Sequence, residues 1–391
     1  MLKETLNLRL TKKTIISRRN NCLGGLNLKR VMFSFTMPRR GGYIGGVAAV
    51  INSYREKASL FAEQNYCVDV FDFCGLVSDK IRNPIFRKVL YGVEQRRSAV
   101  LAIKRNDVDI FHIHTSRNSL FLKDILLGTY VKKRTKAKVV LSIHVGNINT
   151  VFEKIMPFKS KMIRYMNIYF DKVIFLSDEM REQFIVAGLD GNRCELLYNF
   201  HNMAPIAEKE KLSRSAMLHL LYVGAIHREK GIMDLLAALT NMKDVDFHLD
   251  ICGQITDETI ALDFQQMVEQ LENKITLWGY VSGVQKTALF ERADALLLPS
   301  YHEGLPLVIL EGLCQGCALV STKVGSIPEI LSEQNVLWVD AGSTESIENA
   351  VRRLYSDATL MLNIQSKNKT LGLEYGIKNH IRRLCCIYSE I

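Results

Sequence analysis

Short apolar runs separated by helical stretches recur along most of the chain. Runs at 31–35, 67–73, 110–114, 139–143 and 173–176 are expected strands, and a second series falls at 218–223, 247–252, 275–278, 295–298, 318–321 and 336–339. The runs are too continuously apolar to leave one face wet, so they predict parallel sheets covered on both sides. Between 199 and 219 the pattern lapses into Asn, Pro, Glu, Lys and Ser, which marks a linker. The tail from about 344 is helical by periodicity. The expected fold is therefore α/β: two doubly wound domains, 31–203 and 216–391, after a flexible extension, 1–30. Such domains face a cleft lined by the carboxyl ends of both sheets.

One stretch of the second series concentrates polar chemistry. After Leu296-Leu297-Leu298 come Pro299 and Ser300, then Glu303-Gly304-Leu305-Pro306 and a helical pattern ending near Gly316. Pro306 suits the first position of that helix, where a missing N–H is harmless. Glu303 then sits just before the helix, and Glu311 about five residues inside it. Free N–H groups of a first helical turn favour an anion. Carboxylates for hydroxyls beside amides for phosphate are what a nucleotide-sugar site needs.

Other motifs add to this. Gly45 and Gly46, in the glycine-rich turn after the first strand, allow close backbone approach to a ligand, although their spacing is not the dinucleotide fingerprint. His112 and His114 point to one face of their strand. His114 and His144 stand at carboxyl ends of strands, where open α/β sheets bind ligands. Lys230, six residues after Gly224 and beside a helix start, suits a diphosphate. Asp107-Val108-Asp109 and Asp244-Val245-Asp246 precede strands at their amino ends, away from a cleft, so no metal site is expected of them. Cys314-Gln315-Gly316-Cys317 has redox-pair spacing but ends a helix, and core packing is the better reading.

Composition narrows the class. At 391 residues, 48% hydrophobic and 24% charged, the chain has room for two cores and reads as soluble and globular. It holds no run of eighteen apolar residues and no signal-like apolar segment near its start. Nine scattered cysteines fit a reducing cytoplasm better than a disulfide framework. Charge divides unevenly: residues 1–200 carry 34 Lys+Arg against 17 Asp+Glu, and the remainder 17 against 24. The basic half suggests peripheral contact with an anionic membrane. Lys80, Arg82, Arg87, Lys88, Arg96 and Arg97 would contribute, and so would Lys154, Lys159, Lys161 and Arg164 around Met162, Tyr165 and Met166. No nucleic-acid-binding motif accompanies the charge.

With these residues in place, the chain resembles the retaining glycosyltransferases of family 4, which have the GT-B fold. Their paired glutamates match Glu303 and Glu311, and their Gly-x5-Lys-Gly segment matches Gly224 to Gly231. Their glycine pair matches Gly45 and Gly46, and their strand-end histidines His114 and His144. Gly325-Ser326-Ile327-Pro328-Glu329 and Leu197-Tyr198-Asn199 look like further landmarks. The resemblance implies that Glu303, with Gly304, Leu305 and Pro306, holds donor-sugar hydroxyls, that Glu311 binds ribose, and that Lys230 binds the diphosphate. It implies that His114 lines the sugar pocket, with His144 and Asn199 toward acceptor or sugar. It implies no cofactor beyond the nucleotide-sugar co-substrate. Two positions depart from the pattern. Ala225 stands where the family commonly has arginine, a loss that Arg228 in the same loop could offset, and Gly312 stands where alanine is usual.

The reading is a glycosyltransferase moving a hexosyl or N-acetylhexosaminyl group from a nucleotide-sugar, UDP before GDP, to a glycan or lipid-linked hydroxyl. Its expected setting is bacterial cell-surface polysaccharide synthesis, in the cytoplasm or at the inner face of the membrane. A sugar-nucleotide 2-epimerase shares the architecture and is the nearest rival; a non-catalytic membrane- or nucleic-acid-binding protein is another. A retaining glycosidase needs carboxyls about 5–5.5 Å apart, which this spacing does not suggest.

Overall fold

The computed structural model describes residues 28–35, 46–72, 84–115, 118–144, 159–205 and 217–391. Residues 1–27, Gly45, Lys80, Arg82 and Lys154 lie outside them. The chain divides into two compact units. One runs up to Leu197 and takes in Ile381–Ile391; the other is Tyr198–His380.

In the first unit the described strands are β1 (Lys29–Phe35), β2 (Tyr66–Asp72), β3 (Ile110–Thr115), β4 (Lys138–Ile143), β5 (Lys172–Phe175) and β6 (Cys194–Leu196). They pair in parallel in the order β2-β1-β3-β4-β5-β6. All six residues of β3 are buried, and only Lys138 of β4 is exposed, as expected of strands covered on both faces. Helices supply the cover: Ala99, Ile103, Phe121, Ile125, Met162 and Met166 pack with the strand side chains in one core. Ser177 caps the helix Asp178–Val186 by accepting from Met180 N, with Asp178 and Glu179 in its first turn.

The second unit holds β7 (Leu218–Val223), β8 (Phe247–Cys252), β9 (Ile275–Gly279), β10 (Ala295–Leu298), β11 (Ala318–Thr322) and β12 (Val336–Val339). Their order is β12-β11-β10-β7-β8-β9, again parallel. The period of two is visible in the packing. Leu218, Leu220 and Tyr222 of β7 enter one core, while Leu221 and Val223 enter the other. Winding runs outward from β7 through β8 to β9, then restarts at β10 on the other side. The switch point of this sheet is thus the β7/β10 pair.

Three expectations need correction. The three-residue edge strand β6 was not anticipated. Pro306 is the residue before the helix Leu307–Cys314, in extended conformation, rather than its first member. The second domain does not keep the whole tail: the helix Ile377–Ser389 begins in the second unit and ends in the first. There Tyr388 is fully buried and its Oη lies 2.6 Å from His112 Nδ1, while Glu390 pairs with Lys172 at 2.6 Å. An amphipathic helix declares an apolar face without saying which core will take it. Of the described cysteines, Cys67 is disulfide-bonded, and Cys194, Cys252, Cys314, Cys317, Cys385 and Cys386 are free. Cys314 and Cys317 are buried in the helix–sheet packing.

Candidate active site

The loops that follow β7 and β10 meet at the switch point. After β7 the chain passes Gly224, whose N–H donates to Cys252 O, and turns through a single 3-10 turn, Arg228–Lys230. His227 caps that turn by accepting from Glu229 N. Gly231 then takes φ +68°, and a Cβ there would lie 2.0 Å from Pro299 O, so only glycine lets the two loops approach this closely. Lys230 is brought against the other loop, and its Nζ donates to Glu303 Oε1 at 2.7 Å. Ser300 Oγ donates to the same oxygen at 2.9 Å. The Lys230 side chain keeps 30% of its surface exposed, while Glu303 keeps 9%. The lysine is therefore the partner that solvent, or a ligand, reaches.

Tyr301 braces this junction. Its N–H donates to Glu229 O at 2.9 Å, and its hydroxyl to Asp234 Oδ2 at 2.9 Å on the following helix. The loop after β11 adds a second brace. Ser326 N donates to Gly304 O, and Gly325, at φ +56°, leaves no room for a Cβ, which would sit 2.3 Å from Glu303 O.

Glu311 is the fifth residue of the helix Leu307–Cys314. Its Oε1 accepts from Lys286 Nζ at 2.6 Å, and its Oε2 is buried without a hydrogen-bond partner among the described residues. A buried carboxylate oxygen with an open lone pair is a poised acceptor for a ligand hydroxyl. Sequence reasoning passed over Lys286. A single lysine on the helix Gly283–Arg292 reads like any solvated residue, and only the fold places it against Glu311. Gly312 has a packing explanation: a Cβ would come within 2.9 Å of Leu296 Cδ2 and 3.2 Å of Leu319 Cδ2, so alanine here would require these leucine side chains to shift.

Asn199 also belongs to the second unit. Its side chain is buried and donates through Nδ2 to Leu305 O at 2.8 Å, so it holds the loop of Glu303. Ala225 is buried, with its carbonyl accepting from Tyr222 Oη. Arg228 is exposed, and its backbone N–H lies 3.5 Å from Asp257 Oδ2.

In the first unit, His114 Nδ1 lies 2.9 Å from His144 Nε2, and the two rings stack with centroids 5.1 Å apart. Burial lowers the His144 pKa from its ordinary 6.5 to about 4, so this imidazole is neutral at physiological pH. His112, on the same face of β3, is instead part of the core, between Ser142 Oγ at 2.8 Å and Tyr388 Oη. Gly46 opens the helix Gly46–Glu56, is exposed, and has no described residue within 4 Å of a built Cβ. The two Asp-x-Asp segments are strand openings, as expected: Asp109 Oδ2 accepts from Arg30 N, and Asp244 is held by both terminal nitrogens of Arg352.

Residues 54–204 match the family model described as Glycosyltransferase Family 4, and residues 218–357 match the one described as Glycosyl transferases group 1. The chain is a family 4-type glycosyltransferase. It acts on a nucleotide-sugar donor. It is 23% identical to an uncharacterized 41.2 kDa protein in the cps region of Klebsiella pneumoniae, over 74% of this chain and 81% of that one. It is 21% identical to the 2-deoxystreptamine N-acetyl-D-glucosaminyltransferase of Niallia circulans, over 66% and 70%. HepE from Anabaena, solved in complex with UDP and glucose, superposes with a TM-score of 0.68 at 15% identity, over 92% of this chain and 99% of that one. This glycosyltransferase therefore has the GT-B fold.

Proposed function

We propose that this glycosyltransferase moves a sugar from a UDP-sugar to a hydroxyl of a glycan or lipid-linked acceptor with retention at the anomeric carbon, in the synthesis of a cell-surface polysaccharide. The observation that carries the donor reading is the pairing at the β7/β10 switch point. Lys230 is the exposed partner of a buried Glu303, and Glu311 holds one oxygen open beside Lys286. In this reading the Lys230 ammonium meets the diphosphate, where charge develops as the bond to the leaving group breaks. Glu303 and the Gly304–Pro306 backbone hold sugar hydroxyls, and Glu311 takes the ribose diol. Gly45, Gly46 and Gly224 give backbone access, and Arg228 adds a second cation to the diphosphate.

Glu303 Oε1 already accepts from Lys230 and Ser300, which suits a group that binds hydroxyls better than a covalent nucleophile. That supports front-face attack assisted by the leaving phosphate, and the resemblance gives His114 and His144 roles toward the sugar or acceptor. The UDP preference and the polysaccharide setting draw on relatives: HepE was solved with UDP and glucose, and the Klebsiella protein is encoded in a cps region. Among the described residues no helix is long and apolar enough to cross a membrane. A lipid-linked acceptor would be met at the surface instead. Met162 and Met166 are buried, contrary to the expectation for a membrane-facing patch. The exposed face of the helix Lys159–Tyr169 presents Lys161, Arg164 and Ile168.

The test is a panel of UDP-, GDP- and ADP-sugars scored by thermal shift and nucleotide release, with the product anomer read by NMR. UDP-sugars should give the largest shift and an axial or equatorial linkage matching the donor. A product of inverted configuration overturns retention, and epimerised donor without transfer overturns the whole assignment. Lys230 with helix amides can neutralise the diphosphate, so activity should persist in excess chelator. Loss that magnesium or manganese restores would reject that part.

A further inference from the structure

The second unit begins at Tyr198, and its first two residues reach directly to the loops of the candidate site. Asn199 Nδ2 donates to Leu305 O at 2.8 Å, from a side chain in a residue only 8% exposed. Tyr198 Oη donates to Glu329 Oε2 at 2.9 Å. Glu329 closes the loop whose Ser326 N–H donates to Gly304 O. The two contacts thus converge on one short stretch, Glu303 to Pro306, from two directions. On its other side this segment is fixed to the end of the unit. Tyr198 O lies 2.9 Å from His380 Nδ1, His201 Nε2 lies 2.8 Å from Gly372 O, and His201 pairs with Gly376 in an isolated parallel bridge. The anchor is therefore rigid, and a rigid anchor with one directional hydrogen bond can set the position of a loop carbonyl.

We propose that Asn199 is a positioning residue for the donor loop, holding Glu303 in register with Lys230 through Leu305, and that Tyr198 sets the companion loop through Glu329. The inference rests on the proposed role of Glu303 toward the donor. Leu305 O is a backbone group that any residue at 305 presents, so the information lies in Asn199. Without its N–H, Leu305 O loses a buried donor, and the loop keeps its contacts with Ser326 and Ser300 and the Lys230–Glu303 pair. A displacement of about 1 Å in a substrate-holding loop costs up to about a hundredfold in rate.

The experiment uses the full chain and the variants Asn199→Ala, Asn199→Ser and Tyr198→Phe. In Asn199→Ala, kcat should fall about tenfold to a hundredfold, with KM for the donor changed far less, since Glu311 and Lys286 stand on other elements. Asn199→Ser, which keeps a donor, should recover part of the loss. Tyr198→Phe should show the same split with a smaller drop. The decisive readout is a double-mutant cycle with Glu303→Gln. If Asn199 acts through the Glu303 loop, the double variant should be no worse than Glu303→Gln alone; additive losses overturn the proposal. Hydrogen exchange on the free protein separates this from the donor assignment. Asn199→Ala should speed exchange at Ser326 N and across the turn that opens the helix Leu307–Cys314. Faster exchange in a protein that transfers no sugar would sink the donor assignment and leave the positioning role standing. Unchanged exchange overturns the positioning role whatever the activity.

Discussion

The two sheets of this glycosyltransferase carry polar groups at their carboxyl ends in different ways. In the second unit the groups are ionic and already paired: Lys230 with Glu303, and Lys286 with Glu311. In the first unit they are two stacked imidazoles, one of them held neutral by burial. The proposed function accounts for the difference by what each unit would face. A diphosphate needs fixed positive charge, and paired carboxylates keep those lysines oriented without leaving a buried charge uncompensated. A neutral imidazole pair offers directional hydrogen bonds and no field, which suits sugar hydroxyls. Among the described residues of these sites, the ion pairs lie in the second unit and the imidazole pair in the first.

The largest expected effect tests that segregation directly. Lys230→Met should lower kcat/KM about a hundredfold to a thousandfold, the range for removing a single charge-stabilising donor. His114→Gln in the first unit should cost about tenfold or less, the range of a neutral hydrogen bond. Steady-state kinetics with one donor sugar compares them. Equal losses would break the comparison, because the first unit would then also be handling charge.

Much of this architecture was legible beforehand. Strands buried on both faces appear as unbroken apolar runs, so 218–223, 247–252, 295–298 and 336–339 coincide with β7, β8, β10 and β12 to the residue. That Lys230 and Glu303 stand in loops following strands was legible from the order of elements, but their ion pair was not foreseen. What escaped was long-range partner choice. Nothing in Ile381–Ile391 says that Tyr388 will bury itself beside His112, because periodicity specifies a face and not its mate. Lys286, and the contact of Asn199 with Leu305 O rather than Asn199 itself, escaped for a related reason. A lysine on a helix and an asparagine in a linker match ordinary surface chemistry until the fold sets Glu311 and Leu305 O opposite them. Met162 and Met166 failed in the other direction, since apolar residues among basic ones describe a membrane face and a half-buried helix equally well.

A middle-sized effect sharpens the comparison within the second unit. Glu311→Ala should weaken free UDP and the donor alike by about tenfold to a hundredfold, as expected for hydrogen bonds to a charged group. Glu303→Ala should leave free UDP almost untouched while lowering kcat about tenfold to a hundredfold. Calorimetric titration with UDP separates the two. If both variants bind like the parent, the two ion pairs do not divide the donor between ribose and sugar as proposed.

The smallest effect is a stability difference read against pH, and it tests whether His144 is neutral. In the unfolded chain this imidazole titrates at the ordinary 6.5; in the folded protein burial holds it to about 4. Between those values the unfolded state takes up a proton that the folded state refuses. Stability from this group is therefore fully present above pH 6.5, declines as the pH falls through the window, and changes no further below about 4. Other groups titrate in the same range, so the parent curve alone decides nothing. The informative quantity is the difference between the parent and His144→Asn, which keeps a polar group beside His114 but cannot take the proton. The parent should lose more Tm than the variant between pH 7 and pH 4.5. The gap should be a few °C, on the scale of about 2–4 °C per kcal/mol for a unit of this size. Parallel Tm curves for the two proteins would mean that His144 accepts its proton in the folded state as readily as in the unfolded one. The first unit would then carry a titrating cation beside His114, and the division into a charged unit and a neutral one would fail.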